Sequence, residues 1–315
     1  MEHILNKIKE YNRIIIHGHK RPDGDCLGSQ FGLKDIIKTS FPNKEVYVVG
    51  ESSEFVDFIG QVDTVSDEMF KGALSIIVDN AVSSRTSDTR FMLADYAIKI
   101  DHHIPVEDYG DYQYVDTTSP SCAQIITEFY MKFSELKLTK VGGTALMTGQ
   151  ITDTGRFRYD SVDGRTLRSA AALCDLGVSI SKIDQKLSSD TLADYQLKGY
   201  VLSNFKTTPD GFIYVLMTRD VIEKFGVSDE DAASQVNVIG TLEGFPVWAL
   251  IIEYPGNEIR VRLRSRGPVI NTLAAEYNGG GHAKAAGCEL ENWDALEGFA
   301  AKCNDLSKEW NLNNK

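Results

Sequence analysis

Three short apolar runs in the first hundred residues each end in residues that can hold a metal or an anion. Ile14-Ile15-Ile16 delivers His17 and His19, then Asp23 and Asp25. Leu74 to Val78 ends in Asp79-Asn80, and Ala94 to Ile100 ends in Asp101-His102-His103. Apolar runs of this length, bounded by turn residues, read as buried strands. Helical period separates or follows them, at Cys26 to Thr39, Cys122 to Phe133, Val141 to Ile151 and Thr166 to Leu176. Strands alternating with helices imply a mostly parallel sheet. The carboxyl ends of its strands share one edge, and ligands bind in the crevice beyond that edge. Side chains far apart in sequence are thereby expected to converge.

The pattern changes in the second half. Ser179 to Phe205 reads as two helices with little loop between them. Beyond Gly211 come a strand at Phe212 to Met217, a helix at Ser228 to Val238, and a hairpin of Pro246 to Glu253 with Glu258 to Leu263 around Pro255-Gly256-Asn257. A helix at Val269 to Tyr277, a strand at Ala286 to Leu290 and a helix at Trp293 to Leu306 close the chain. The expected fold is α/β: a parallel-sheet domain over 1–185, a helical connector over 186–210, and a smaller α+β domain over 211–315, with a cleft between the two domains.

The acidic groups at the strand ends, joined by Asp153 at a helix end, would repel strongly if they met without cations. Two divalent ions would remove that repulsion, and mixed carboxylate and imidazole donors suit Mn2+, with Mg2+, Co2+ or Zn2+ as alternatives. Taken singly, each Asp also fits a helix cap, and Asp101-His102-His103 also fits a turn. Five of the six histidines fall in dense clusters with Gly or Asp, which favours a site over isolated structural roles. In the second half, Arg260, Arg262 and Arg264 alternate along a strand and share one face, as a basic edge or as an anion contact. Gly279 to Gly281 can bring bare backbone amides up to a phosphate or form a flexible turn, and His282 follows it.

The net charge is −12, with no basic stripe of the kind that grips long nucleic acid. A phosphate substrate is therefore expected to be small. The opening residues form an amphipathic helix rather than a signal peptide. There is no apolar run of membrane-spanning length, and five scattered cysteines point to a reducing, cytoplasmic setting.

HGHKRPDGDCLGS, IIVDNA, DHH and TDTGRF resemble the four motifs of the DHH phosphoesterase family, and GGGHAKAAG resembles the signature of its DHH-associated C-terminal domain. The motifs stand in family order across nearly the whole chain. The length and the HxHxRPDxD opening are similar to the NrnA-type branch, oligoribonucleases that also act as 3′-phosphoadenosine-5′-phosphate (pAp) phosphatases. The resemblance implies two Mn2+ ions, replaceable by Mg2+ or Co2+. His19, Asp23 and Asp79 would hold one; Asp25, Asp79, His102 and Asp153 would hold the other, with Asp79 bridging. His103 would contact the scissile phosphate and Asp101 would orient the histidines. Arg264, Ser265, Gly280, Gly281 and His282 would bind substrate. Implied substrates are short RNA oligonucleotides and pAp, with cyclic di-AMP or its linear product pApA as the alternative, and a homodimer as the assembly. His17 is left between a contact near the site and packing. Gly18 and Gly24 replace the usual Arg and Pro, and Cys26 and Asn80 the usual Ala and Thr, while every ligand position is retained. A catalytically dead nucleotide sensor is the rival class, and turnover of a phosphodiester with Mn2+ discriminates against it.

Overall fold

A computed structural model describes residues 1–188 and 191–314. The chain divides into two compact units, Met1–Ser189 and Asp190–Lys315. The expected connector contains Ser189 and Asp190, which lie outside the described residues, as does Lys315 at the end of the expected second domain.

The first unit runs α1 (Glu2–Glu10), β1 (Arg13–His17), α2 (Gly24–Ser40), β2 (Glu45–Val49), β3 (Ala73–Val78), β4 (Tyr96–Asp101), β5 (Tyr112–Val115), α3 (Cys122–Lys132), α4 (Lys140–Asp153), α5 (Gly164–Asp175) and α6 (Ile180–Leu187). Its strands form one sheet ordered β2-β1-β3-β4-β5, paired parallel throughout. The apolar runs are covered on both faces, as parallel strands require. Ile14, Ile16, Leu74, Ile76 and Ile98 enter the main core with residues of α2, α3 and α4. Ile15 and Ile77, pointing the other way, join smaller clusters around Phe70 and Phe91. His17 pairs in register with Ile77, and Val78 with Ile100. The ends of β1, β3 and β4 therefore lie side by side on one edge.

Short polar residues start the helices on that edge. Asp23 accepts the Asp25 and Cys26 amides at the start of α2, and Ser121 accepts the Gln124 amide at the start of α3. α2 and α4 pack through glycine. A Cβ on Gly28 would stand 2.5 Å from the Ala145 carbonyl oxygen, and one on Gly149 would stand 2.8 Å from Asp25 Oδ1. This close approach sets Asp25, in the first turn of α2, near Asp153, the last residue of α4.

The second unit runs α7 (Leu192–Ser203), β6 (Lys206–Thr207), β7 (Phe212–Met217), α8 (Arg219–Phe225), α9 (Asp229–Ser234), β8 (Val247–Tyr254), β9 (Glu258–Ser265), α10 (Asn271–Ala275), β10 (Gly280–His282), β11 (Ala285–Leu290) and α11 (Ala295–Asn313). Its mixed sheet is ordered β10-β11-β9-β8-β7-β6. Ile213, Leu250 and Ile252 face Leu197, Ile222 and Ala232 of α7, α8 and α9. Phe212, Ala249 and Val261 face Leu273 of α10 and Phe299 of α11. Three short elements, β5, β6 and α8, carry no expectation from the sequence, and the glycine run expected as a turn opens into strand β10.

Candidate metal centre

Asp79 follows β3 directly with φ +55°, a left-handed conformation that Asp tolerates better than most residues. Its amide donates to the Ile100 carbonyl at 3.0 Å, which fixes the turn against β4. The carboxylate is buried and its two oxygens diverge. Oδ2 lies 3.4 Å from His19 Nε2, and Oδ1 lies 3.3 Å from His102 Nε2. One carboxylate thus stands between two imidazoles carried by different strands.

Both imidazoles are locked from behind. His19 Nδ1 lies 2.9 Å from the Lys20 carbonyl oxygen, and His102 Nδ1 lies 3.3 Å from that of Ser119. A carbonyl only accepts, so each Nδ1 carries the proton and donates it. Each Nε2 lone pair is left facing carboxylate oxygens. His102 Nε2 has Asp153 Oδ2 at 3.5 Å and Asp25 Oδ2 at 3.8 Å, and His19 Nε2 has Asp23 Oδ1 at 3.9 Å. A lone pair among anions is stable only with a cation between them. Nδ1 held by a backbone carbonyl while Nε2 faces carboxylates is also how metal-ligating histidines are oriented.

The metal-free electrostatics show the same demand. Burial works against a charged His102, but Asp79, Asp25 and Asp153 override it and push its pKa up to about 10. Asp153 is pushed up to about 8, by burial and then by the charge of Asp79. Asp25 is raised too, by burial and then by Asp79 and Asp153. Burial would likewise raise Asp79, but its contacts with His102 and His19 hold it below the usual carboxylate range. Asp79 Oδ1 and His102 Nε2 are buried without a hydrogen-bond partner. These orphaned atoms, with mixed oxygen and imidazole donors, fit divalent cations.

The sequence-predicted residues divide as follows. Asp25, His102 and Asp153 form one group of closely spaced donors, and Asp79, His102 and His103 form another. Asp25 also receives the Cys122 and Ala123 amides, at 2.6 and 2.9 Å, and so sits on the start of α3. Asp23 is exposed, and its Oδ1 is engaged as the cap of α2. Asp25 keeps a lone pair on each oxygen beside its capping bonds, whereas both lone pairs of Asp23 Oδ1 are taken by amides, so a ligand role for Asp23 falls to Oδ2. A third group contains a residue not expected: Cys26 joins His19 and Asp79. Its thiol accepts the His19 amide at 3.3 Å and is pushed up to about 11 by burial. Its position beside two expected aspartates was the available signal.

His103 is half-exposed, and its Nδ1 meets Asp101 Oδ1 at 2.8 Å. Asp101 is buried; burial disfavours its charge, but the bond from His103 holds it below the ordinary value. His17 is buried, with Nδ1 donating to the Asp88 carbonyl at 3.1 Å and Nε2 accepting from the Ser75 hydroxyl at 3.2 Å. Burial pushes it down to about 4. It ties β1 to β3 and to the Asp88 loop, which assigns it to packing.

In the second unit the strand register puts Arg264, Ala285 and His282 opposite one another on β9, β11 and β10. Arg262 is opposite Gly287, which is opposite Gly280. Directly opposed residues share a face. Two bare glycines thus form a floor beside Arg262, flanked by Arg264 and His282. Gly280, Gly281 and His282 are exposed. Arg260 pairs with Glu258 at 2.7 Å. Ser265 is buried, its hydroxyl donating to the Pro268 carbonyl and accepting from the Gly267 amide. It is committed to the turn after β9 rather than displayed on the arginine face.

The profile of the DHH family, N-terminal domain, matches residues 13–150, and that of the DHHA1 domain matches residues 210–309. The chain is 35% identical to the bifunctional oligoribonuclease and PAP phosphatase NrnA of Bacillus subtilis, over 97% of this chain and 98% of that protein. It is 37% identical to the probable bifunctional oligoribonuclease and PAP phosphatase NrnA of Streptococcus mutans, over 90% of this chain and 91% of the other. The crystal structure of an exopolyphosphatase-related protein from Bacteroides fragilis superposes with a TM-score of 0.85 at 25% identity, covering 98% of this chain and 97% of that one.

Proposed function

The chain belongs to the DHH phosphoesterase family, a family of metal-dependent hydrolytic enzymes, and from that premise we propose that it hydrolyses short oligoribonucleotides and pAp to mononucleotides with two Mn2+ ions. The observation that carries the chemistry is Asp79, whose two oxygens address His19 and His102 separately. The substrate class rests on the full-length similarity to oligoribonuclease and PAP phosphatase relatives.

In this reading His19, Asp23 and Asp79 would hold one ion, and Asp25, Asp79, His102 and Asp153 would hold the other. Bound there, the ions would supply Lewis acidity, lowering the pKa of water toward neutrality and offsetting charge on the phosphoryl oxygens. Everything else is the work of the chain. Hydrolysis joins a water oxygen to phosphorus and breaks a P–O bond, and the leaving oxygen departs with a proton. Asp101 engages His103 Nδ1, so Nε2 is the ring atom turned to a phosphoryl oxygen, as a donor when the ring carries both protons. The backbone carbonyls behind His19 and His102 fix those rings and spare their Nε2 atoms. Arg264, His282 and the glycine floor of Gly280 and Gly287 would grip the far phosphate or base, with Ser265 shaping the turn that ends β9. We further propose a homodimer and a cytoplasmic location, the first on family resemblance and the second on the free cysteines. Among the described residues no helix is long and apolar enough to cross a membrane.

The test is a substrate panel of pAp, pApA, cyclic di-AMP and di- to pentaribonucleotides. EDTA-treated protein is expected to be inactive, and Mn2+ to restore turnover of pAp and the short RNAs. Metal-independent hydrolysis would defeat the chemistry. Turnover confined to cyclic di-AMP or pApA would replace the substrate assignment, and no turnover of any member would favour the sensor.

A further inference from the structure

The apolar run of β4 is broken at Lys99, between Ile98 and Ile100. Its side chain is fully buried, which lysine almost never accepts without a partner. Lys99 and Asp101 are two residues apart on one strand and share a face. The Lys99 ammonium donates to the Ala81 carbonyl at 3.0 Å. It lies 4.7 Å from the centroid of the Tyr109 ring and 3.5 Å from Asp101 Oδ2. Tyr109 donates its hydroxyl to the Asn80 carbonyl at 2.6 Å, so lysine and ring are both fastened to the segment that follows Asp79.

The two oxygens of Asp101 live differently. Oδ1 accepts from His103 Nδ1 at 2.8 Å, and from the His102 and His103 amides at 2.9 and 3.3 Å. Oδ2 is buried and accepts no hydrogen bond. Its charged neighbour is the Lys99 ammonium, close enough to attract but too far to hydrogen-bond well. A buried carboxylate with one crowded and one bare oxygen keeps that orientation only while something holds the bare side. We propose that Lys99 is a positioning residue for hydrolysis: through Asp101 it fixes the His103 ring with Nε2 presented to the phosphoryl group. This rests on the reading of His103 as the phosphate contact. A lysine that served packing alone would tie β4 to Ala81 and leave the ring of His103 indifferent to its charge.

The experiment uses full-length enzyme with Mn2+ and pAp. Lys99→Met keeps the length and apolar stem but removes the charge. It is expected to lower kcat by roughly 10–100-fold, the usual range for residues supporting ligands from behind, with KM and bound manganese unchanged. Lys99→Arg, which keeps the charge, should restore most of kcat. In a His103→Ala background Lys99→Met should cost little more. The His103 Nδ1 proton, visible at low field by NMR in metal-free protein, should be lost in Lys99→Met. If Lys99→Met does not fold, Lys99→Met/Asp101→Asn removes both buried charges together and should match Asp101→Asn alone. Full activity of Lys99→Met beside a crippled His103→Ala would overturn this proposal alone, as would a multiplicative loss in the His103→Ala background or between Lys99 and Asp101. Wild-type turnover by His103→Ala would overturn the phosphate-contact reading, and this proposal with it.

Discussion

At the residue scale, Asp79 combines a backbone constraint with an electrostatic one. Its positive φ restricts replacements to residues that tolerate that conformation, and Asn is one. Asp79→Asn therefore keeps the turn and removes the charge that faces both His19 and His102. It is expected to remove several kcal/mol of metal-borne transition-state stabilisation, about a thousandfold in rate at roughly 1.4 kcal/mol per decade. Metal-free Asp79→Asn should unfold at a lower temperature than metal-free wild type at neutral pH, because His102 and His19 hold Asp79 below the usual carboxylate range and that stabilisation outweighs the relief of Asp25 and Asp153. Steady-state rates with Mn2+ and melting curves in EDTA check both halves; near-normal turnover would remove Asp79 from the bridging position proposed for it. Asp79 and His102 were legible in the sequence because apolar strands deliver them to one sheet edge. What was not legible is how each is held. The carbonyls of Lys20 and Ser119 that lock the two rings are backbone atoms with no sequence signature. Lys99 and Cys26 were hidden for opposite reasons. A lysine in an apolar strand looks like an exposed position, and a cysteine beside two aspartates looks like filler until distances are known.

At the element scale, the candidate centre depends on how closely α2 and α4 approach. Asp25 rides on the first turn of one helix and Asp153 on the last residue of the other. Gly149 sits where this contact meets α3: an added Cβ would meet Ala123 Cβ of α3 at 2.7 Å and Asp25 Oδ1 of α2 at 2.8 Å. Both neighbours are pinned, since Asp25 Oδ1 accepts the Ala123 amide. Gly149→Ala gains about 1 kcal/mol of helix propensity but overpacks the contact at a cost of ~1–3 kcal/mol. The net expectation is lower stability and weaker Mn2+ binding together, read by thermal unfolding and by metal titration. A higher melting temperature with unchanged metal affinity would show that the helices have room to part. The alternation of strands and helices was readable in advance because apolar residues dominate β1, β3 and β4, with Lys99 interrupting the run of β4. β5 was not, because Tyr112, Gln113, Tyr114 and Val115 are all half-buried, so neither a continuous apolar run nor a clean alternation marks them. β10 was hidden for another reason: glycines signal freedom, and here the pairing partners in β11 use that freedom to add an edge strand.

At the scale of the whole molecule, each apolar core among the described residues is drawn from one unit alone: the main cluster of the first runs from Ile4 to Leu187, with two smaller ones beside it, and the two of the second from Leu197 to Cys303. The converging carboxylates all belong to the first unit, so its metal-free form carries their mutual repulsion and the second does not. A ligand that binds only the folded state stabilises it by about 2.7 kcal/mol at a hundredfold excess over Kd. Mn2+ should therefore raise the unfolding transition of the first unit and leave that of the second in place. The chain supplies its own reporter, since its three tryptophans, Trp248, Trp293 and Trp310, all lie in the second unit. Tryptophan fluorescence follows that unit, whereas far-UV circular dichroism follows both. Melting the full chain in EDTA and in excess Mn2+ should move part of the dichroism transition upward while the fluorescence midpoint stays fixed. An equal upward shift of both signals would mean that the two units unfold as one cooperative body, and that metal occupancy in the first is felt by the phosphate-gripping face proposed in the second. No shift in either would mean that the carboxylates do not hold manganese, and the two-metal reading would fall without any enzyme assay.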